Sequence, residues 1–156
     1  MWFEINADGI DLKLQINDYQ PTNNDNWDSV WCRCDLLLSS SNWLNYRIDG
    51  DEVLLACEID ELEKMLTELL DDKLEKIEEI DCIEPDFKFI LYPQTDLRDD
   101  PKYAYVQPGY EIRDAHLEWK VFFWNGGITD NHLVISLERE EIKSLRDYLS
   151  VIRRVM

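Results

Sequence analysis

Apolar side chains at every second position dominate the first two thirds of this chain, and that spacing commits it to strands. Successive side chains of a strand point to opposite faces, so alternation means one buried face and one wet face. Phe3 and Ile5, then Leu12, Leu14 and Ile16, lie on either side of the turn-forming "ADGID" and become the apolar positions of a hairpin. Beyond a polar loop, Val30, Cys32, Cys34, Leu36 and Leu38 share one face, and Trp31, Arg33, Asp35 and Leu37 take the other. Leu44, Tyr46 and Ile48 continue the pattern, "DGD" at 49–51 reads as a tight turn, and "EVLLACEI" as the strand after it. The expected result is an antiparallel meander.

Two segments break the period of two. Leu62, Met65, Leu66, Leu69 and Leu70 fall at i, i+3, i+4, i+7 and i+8, which predicts a helix over 61–74, with Asp60 and Glu63 as a capping box at its start. Ile142, Leu145, Leu149, Ile152 and Met156 repeat the stripe and predict a terminal helix over 139–156, with Arg153 and Arg154 at the negative end of its dipole. Between them, Phe87, Phe89 and Leu91 form a strand bracketed by Pro85 and Pro93. A long polar loop at 94–109 follows, and then a hairpin closes near Asn125, Gly126 and Gly127. Leu117, Trp119, Val121 and Phe123 share a face of its first arm, and Leu133, Ile135 and Leu137 of its second. The fold class is α+β: an antiparallel sheet of meander and hairpins with one internal and one C-terminal helix packed on it. No repeat or composition break divides the chain, so residues 1–156 read as a single domain.

Charge narrows the function classes. The 156 residues carry 16 Lys and Arg against 34 Asp and Glu, a formal net charge of −18, while the hydrophobic fraction of 45% is ample for a core. A field of that sign repels phosphate backbones and anionic lipid and draws in cationic partners. Direct nucleic-acid binding is therefore excluded from the expectations. An acidic surface also serves plain solubility, which is the competing explanation. No stretch approaches the ~20 apolar residues of a membrane helix, and the amino terminus lacks the basic and apolar regions of a secretory signal. The chain reads as cytoplasmic, with Cys32, Cys34, Cys57 and Cys82 as free thiols.

The stretch "NDNWDSVWCRCDLLL" admits a metal site, a reactive thiol or a strand with one wet face. Alternation favours the strand, because Cys32 and Cys34 share a face with Val30 and Leu36 and behave there as small hydrophobes. Structural zinc needs four ligands, and Cys57, Cys82, His116 and His132 are each solitary. No metal or other cofactor is expected. Glycine-rich phosphate loops, nucleophile elbows and paired-histidine motifs are missing from the sequence. His116 beside Glu118 is read as a solvated or hydrogen-bonded side chain, and His132 as a turn residue. Carboxylate pairs such as Asp25 with Asp28 arise by chance among 34 acids. The chain is read as a binding protein and not an enzyme.

The order of its pieces carries a resemblance. An N-terminal strand pair, "NWDSVWCRCDLLL", the "LLACEIDELEKMLTELL" helix, "CIEPDFKFILY" and a closing aromatic hairpin with "ISLEREEIKSLRDYL" follow one another. This order is similar to that of the small acidic immunity proteins that neutralise the toxic C-terminal domain of wall-associated protein A and similar bacterial polymorphic toxins. Trp27, Asp28 and Trp31 before the strand, and Glu84, Pro85, Phe87 and Phe89 after the helix, are its most specific pieces. The loop at 94–109 stands outside the pattern.

The resemblance implies a cognate toxin C-terminal domain as the partner. Many such toxins are nucleases, whose basic surface an acidic protein can cover. The contact residues then expected are exposed loop acids and aromatics: Asp25, Trp27, Asp28, Asp49, Asp51, Asp96, Asp99, Asp100 and Tyr103. For Trp27 the competing role is a core plug at the end of a strand, and for the acids it is simple solvation. Two further classes compete with an immunity protein: an acidic adaptor or regulatory module, and a hydrolase using scattered carboxylates. A toxin gene directly upstream would separate the first class from the others.

Overall fold

The computed structural model describes residues 1–22, 28–103 and 105–154. Four consecutive strands, β1 (Phe3–Ala7), β2 (Ile10–Asn17), β3 (Trp31–Ser40) and β4 (Leu44–Leu55), form a first sheet in chain order, every pair antiparallel. The apolar positions read from alternation face inward: Leu12, Leu14, Cys32, Cys34, Leu36 and Leu38 are all buried.

"DGD" does not turn the chain. Cys34 pairs with Asp51 and Leu36 with Ile48, so Asp35 opposes both Asp49 and Gly50 in a β-bulge within β4. Gly50 takes φ +61°, where a side chain is strained, and its N–H donates to Asp35 Oδ1 at 2.7 Å. β4 therefore runs on to Leu55 and enters α1 (Ala56–Leu70) directly.

That helix begins at Ala56, not at Glu61, because a different acid closes its first turn. Glu58 Oε1 accepts from the Leu55 N–H and Oε2 from the Ile83 N–H, each at 2.8 Å, so one carboxylate caps the helix and holds the chain that returns from it. Burial raises the Glu58 pKa. Asp60 and Glu63, expected as the cap, instead receive the Arg153 guanidinium at 2.8 and 2.7 Å. The helix stops at Leu70, short of Leu74, where Asp72 turns left-handed at φ 57°. Arg139 Nη1 donates to the exposed Leu70 carbonyl at 2.9 Å, and Nη2 reaches Asp72 and Asp114 at 2.9 and 2.7 Å.

After α1 come β5 (Glu78–Asp81) and β6 (Phe87–Tyr92), the short ribbon of β7 (Thr95–Asp96) with β8 (Ile112–Arg113), and the long pair β9 (His116–Trp124) and β10 (Ile128–Glu138). β5, β6, β9 and β10 make a second sheet in the order β10-β9-β6-β5, all antiparallel. Two sheets thus stand where the alternation predicts one. The helix between β4 and β5 carries the chain off the open edge of the first sheet, so pairing restarts elsewhere.

α2 (Arg139–Arg154) packs on α1, β1, β9 and β10, while α1 packs on β4 and β6. One continuous cluster of buried side chains links both sheets and both helices. On the second sheet Trp119 lies 5.3 Å from Phe87 and from Phe89, edge-on to the first; such pairs contribute ~0.5–1.5 kcal/mol each beyond area burial. Tyr148 of α2 closes the first sheet: its hydroxyl accepts from the Ile16 N–H, which β2 presents beyond the end of β1, and donates to the Met1 carbonyl, both at 3.0 Å.

Candidate functional site

The second sheet shows its outer face to the surroundings, and the excursion between β6 and β9 lies across one end of it. By strand register, Lys88, Ile90 and Tyr92 of β6 stand beside Lys120, Glu118 and His116 of β9, which in turn neighbour Val134, Ser136 and Glu138 of β10. At the end nearer the excursion, Tyr92, Asp100, Tyr103, Arg113, His116 and Glu118 line a cleft of about 380 Å³.

His116 shows how the excursion changes a residue's character. Its place on the polar face suggested a solvated or hydrogen-bonded ring, and the structure shows the second, with only 6% of it exposed. The ring stacks on Tyr92 at 4.4 Å and 3°, and Nδ1 sits 3.3 Å from the Asp114 carbonyl. Burial lowers the His116 pKa, so the ring is neutral at pH 7 and Nδ1–H can donate to that carbonyl. The Glu118 carboxylate beside Tyr92, together with burial, pushes the phenol up to about 12. Thr95, Tyr103 and Ser136 line the same cleft.

The acids expected as contacts divide between places and duties. Asp96 is spent within the excursion: its carboxylate accepts from the Arg98 backbone N–H at 3.0 Å and pairs with the Arg98 guanidinium at 2.7 Å, which lowers it to about 2. Asp100 Oδ1 accepts from the Lys102 N–H at 2.9 Å and so caps the turn Pro101–Tyr103. Asp99 is exposed and makes no side-chain hydrogen bond to any described residue, and Tyr103 is exposed beside it in the fold. Asp49 and Asp51 flank the bulge on the first sheet, where Asp49 pairs with Arg47 at 3.2 Å, and Asp28 is exposed just before β3. Asp25 and Trp27 lie outside the described residues. The structure therefore brings Asp96, Asp99, Asp100 and Tyr103 together and puts Asp28, Asp49 and Asp51 elsewhere.

At the other end of the same face lies a groove of about 290 Å³, lined by Asp81, Cys82, Lys88, Phe122, Ile128 and Asp130 among others. Sequence reasoning passed over it, because its residues come from three separate segments and no local pattern joins them. The exposed apolar side chains Ile83, Trp124 and Ile128 were the available signal.

Three of the four cysteines are held as thiols by burial. Desolvation pushes Cys32 up to about 12 and raises Cys34 and Cys82 as well, which keeps them protonated and unreactive. Among the described residues no cluster of three or more His, Cys, Asp or Glu could hold a metal ion, and no helix is long and apolar enough to cross a membrane.

No curated protein matches the sequence. From residue 2 to residue 154, however, the chain matches the immunity protein WapI-like family, and with every element described above inside that span, it belongs to that family.

Proposed function

We propose that this protein is the cytoplasmic immunity partner of a bacterial polymorphic toxin, and that it neutralises a basic nuclease domain by binding it. The family match over residues 2–154, on a chain of net charge −18, carries the reading. A nuclease must hold phosphate on a basic surface, and an acidic protein seated there excludes the substrate without any chemistry of its own. Binding, not turnover, is the activity, and residues 1–156 act as one domain around the shared core.

In this reading the exposed acids steer the encounter. Asp99 and Asp100, with Asp28, Asp49 and Asp51, raise the association rate at low salt, and the effect fades as the Debye length falls to ~8 Å near physiological ionic strength. Asp96 contributes less, since Arg98 already balances it. Asp25, Trp27 and Tyr103 complete the contacts proposed from the sequence.

Co-expression of the protein with the toxin domain encoded immediately upstream tests the proposal. Rescue of growth by the wild type is the expected result, and failure to rescue overturns it. Replacing Asp96, Asp99 and Asp100 together with Asn should weaken rescue while leaving the protein folded, which a cooperative thermal melt checks. Full rescue by the triple variant would remove the excursion acids from the interface.

A further inference from the structure

The groove at the hairpin end of the second sheet has the features of a binding hot spot. Ile128, 39% exposed, lines the groove with Phe122; Trp124, 49% exposed, pairs with Ile128 in strand register, and Ile83, 70% exposed, directly follows the lining residue Cys82. Scattered exposed apolar residues need no explanation, whereas several around one depression mark a contact surface. At about 290 Å³ the groove is below the usual range for small-molecule pockets, which suits a partner's side chain.

The side chains flanking it are also fixed before any partner arrives. The Trp124 indole N–H donates to Asp86 at 2.5 Å, and the Trp124 backbone N–H to the Tyr46 hydroxyl at 3.2 Å. Glu58 grips the Ile83 N–H, so the 82–86 turn is tied to α1. Apolar anchors held in place lose little freedom on binding.

The charges around the groove state what fits. Lys88, the cation in the lining, is matched by Glu79 and Asp81 at 3.3 and 3.6 Å. Asp130 in the lining and Glu84 in the adjoining turn have no cationic partner among the described residues. From 77 to 86 the chain holds five acids and no base. The surplus is negative and stands beside apolar surface.

We infer that this groove is a docking site for a protein partner that inserts a lysine or arginine, its aliphatic stem against Phe122 and Ile128 and its charge at Asp130. Long basic side chains combine the two features the groove demands, an apolar stem and a cationic tip. The inference rests on the immunity reading, which makes that partner the toxin domain, and it places the energetic centre of the interface away from the excursion acids.

Binding of the full-length protein to the upstream-encoded toxin domain, inactivated at its catalytic residue, provides the test. Ile83→Arg and Ile128→Arg alter exposed side chains and should each raise Kd by roughly 30-fold or more, chiefly through faster dissociation. Asp130→Lys should do the same and also slow association. Asn45→Arg, on the outer face of the first sheet, should leave Kd within about twofold. Wild-type protein that fails to bind the toxin domain overturns the immunity reading and this inference together. Tight wild-type binding that all three groove variants retain overturns the groove alone.

Discussion

The two sheets bury similar inner faces and present different outer ones. On the first sheet most outward positions are polar, among them Glu4, Asn6, Asp11, Lys13, Arg33, Ser39, Asn45 and Arg47, with Lys13 paired to Glu4 at 3.8 Å, and the half-buried Trp31 and Leu37 are the apolar exceptions. On the second, the outward positions include Ile90, Tyr92, His116, Phe122 and Val134, and loops or hairpin tips lean over both ends. An antiparallel sheet with one face in water has no physical need for apolar residues there. The second sheet keeps more of them than the first, which is the contrast on which the proposed groove rests.

The comparison can be broken or sharpened by substitution. The largest effect is expected where the sheets do not differ: Leu66→Ala in α1, fully buried between them, should cost ~2–5 kcal/mol by leaving a cavity. A chemical-denaturation loss under about 0.5 kcal/mol would mean that the helix does not tie the sheets together. A smaller loss, ~1–3 kcal/mol, should follow Trp124→Phe, which strands the buried Asp86 carboxylate without its indole donor.

Acid should loosen the second sheet's excursion through Asp96. Arg98 holds Asp96 at about 2, below the ~3.9 of an unfolded aspartate. A depressed carboxylate contributes stability that is present above the unfolded value and lost as pH falls through the folded one. The protection factors of amides around Asp96 and Arg98 should therefore fall between about pH 4 and pH 2, and Asp96→Asn should abolish that step. The smallest effect belongs to Lys13→Ala on the first sheet, where losing a half-exposed ion pair should change stability by less than ~0.5 kcal/mol.

The contrast also explains what could be read from the sequence. Period-two spacing placed Cys32 and Cys34 in the core and paired the closing hairpin, because alternation is a local property of strands. The stripe of α2 was equally local. What escaped was set at a distance. The start of α1 depends on Glu58 serving Ile83, and its end on Arg139. Gly50 was read as a turn because a bulge and a turn use the same left-handed glycine, and only the register against β3 separates them. The division into two sheets, the burial of His116 and the groove around Ile83, Ile128 and Asp130 all arise from segments far apart in the chain.

Hydroxyl-radical footprinting of the protein, alone and with the inactivated toxin domain, tests the central claim most directly, because each sheet carries its own reporter. Trp43, at the β3–β4 turn of the first sheet, is 64% exposed, and Trp124 on the second is 49% exposed. The account predicts that Trp124, Ile83 and Ile128 become protected in the complex while Trp43 is oxidised as fast as in the free protein. Protection of Trp43 with unchanged oxidation of Trp124 would contradict it.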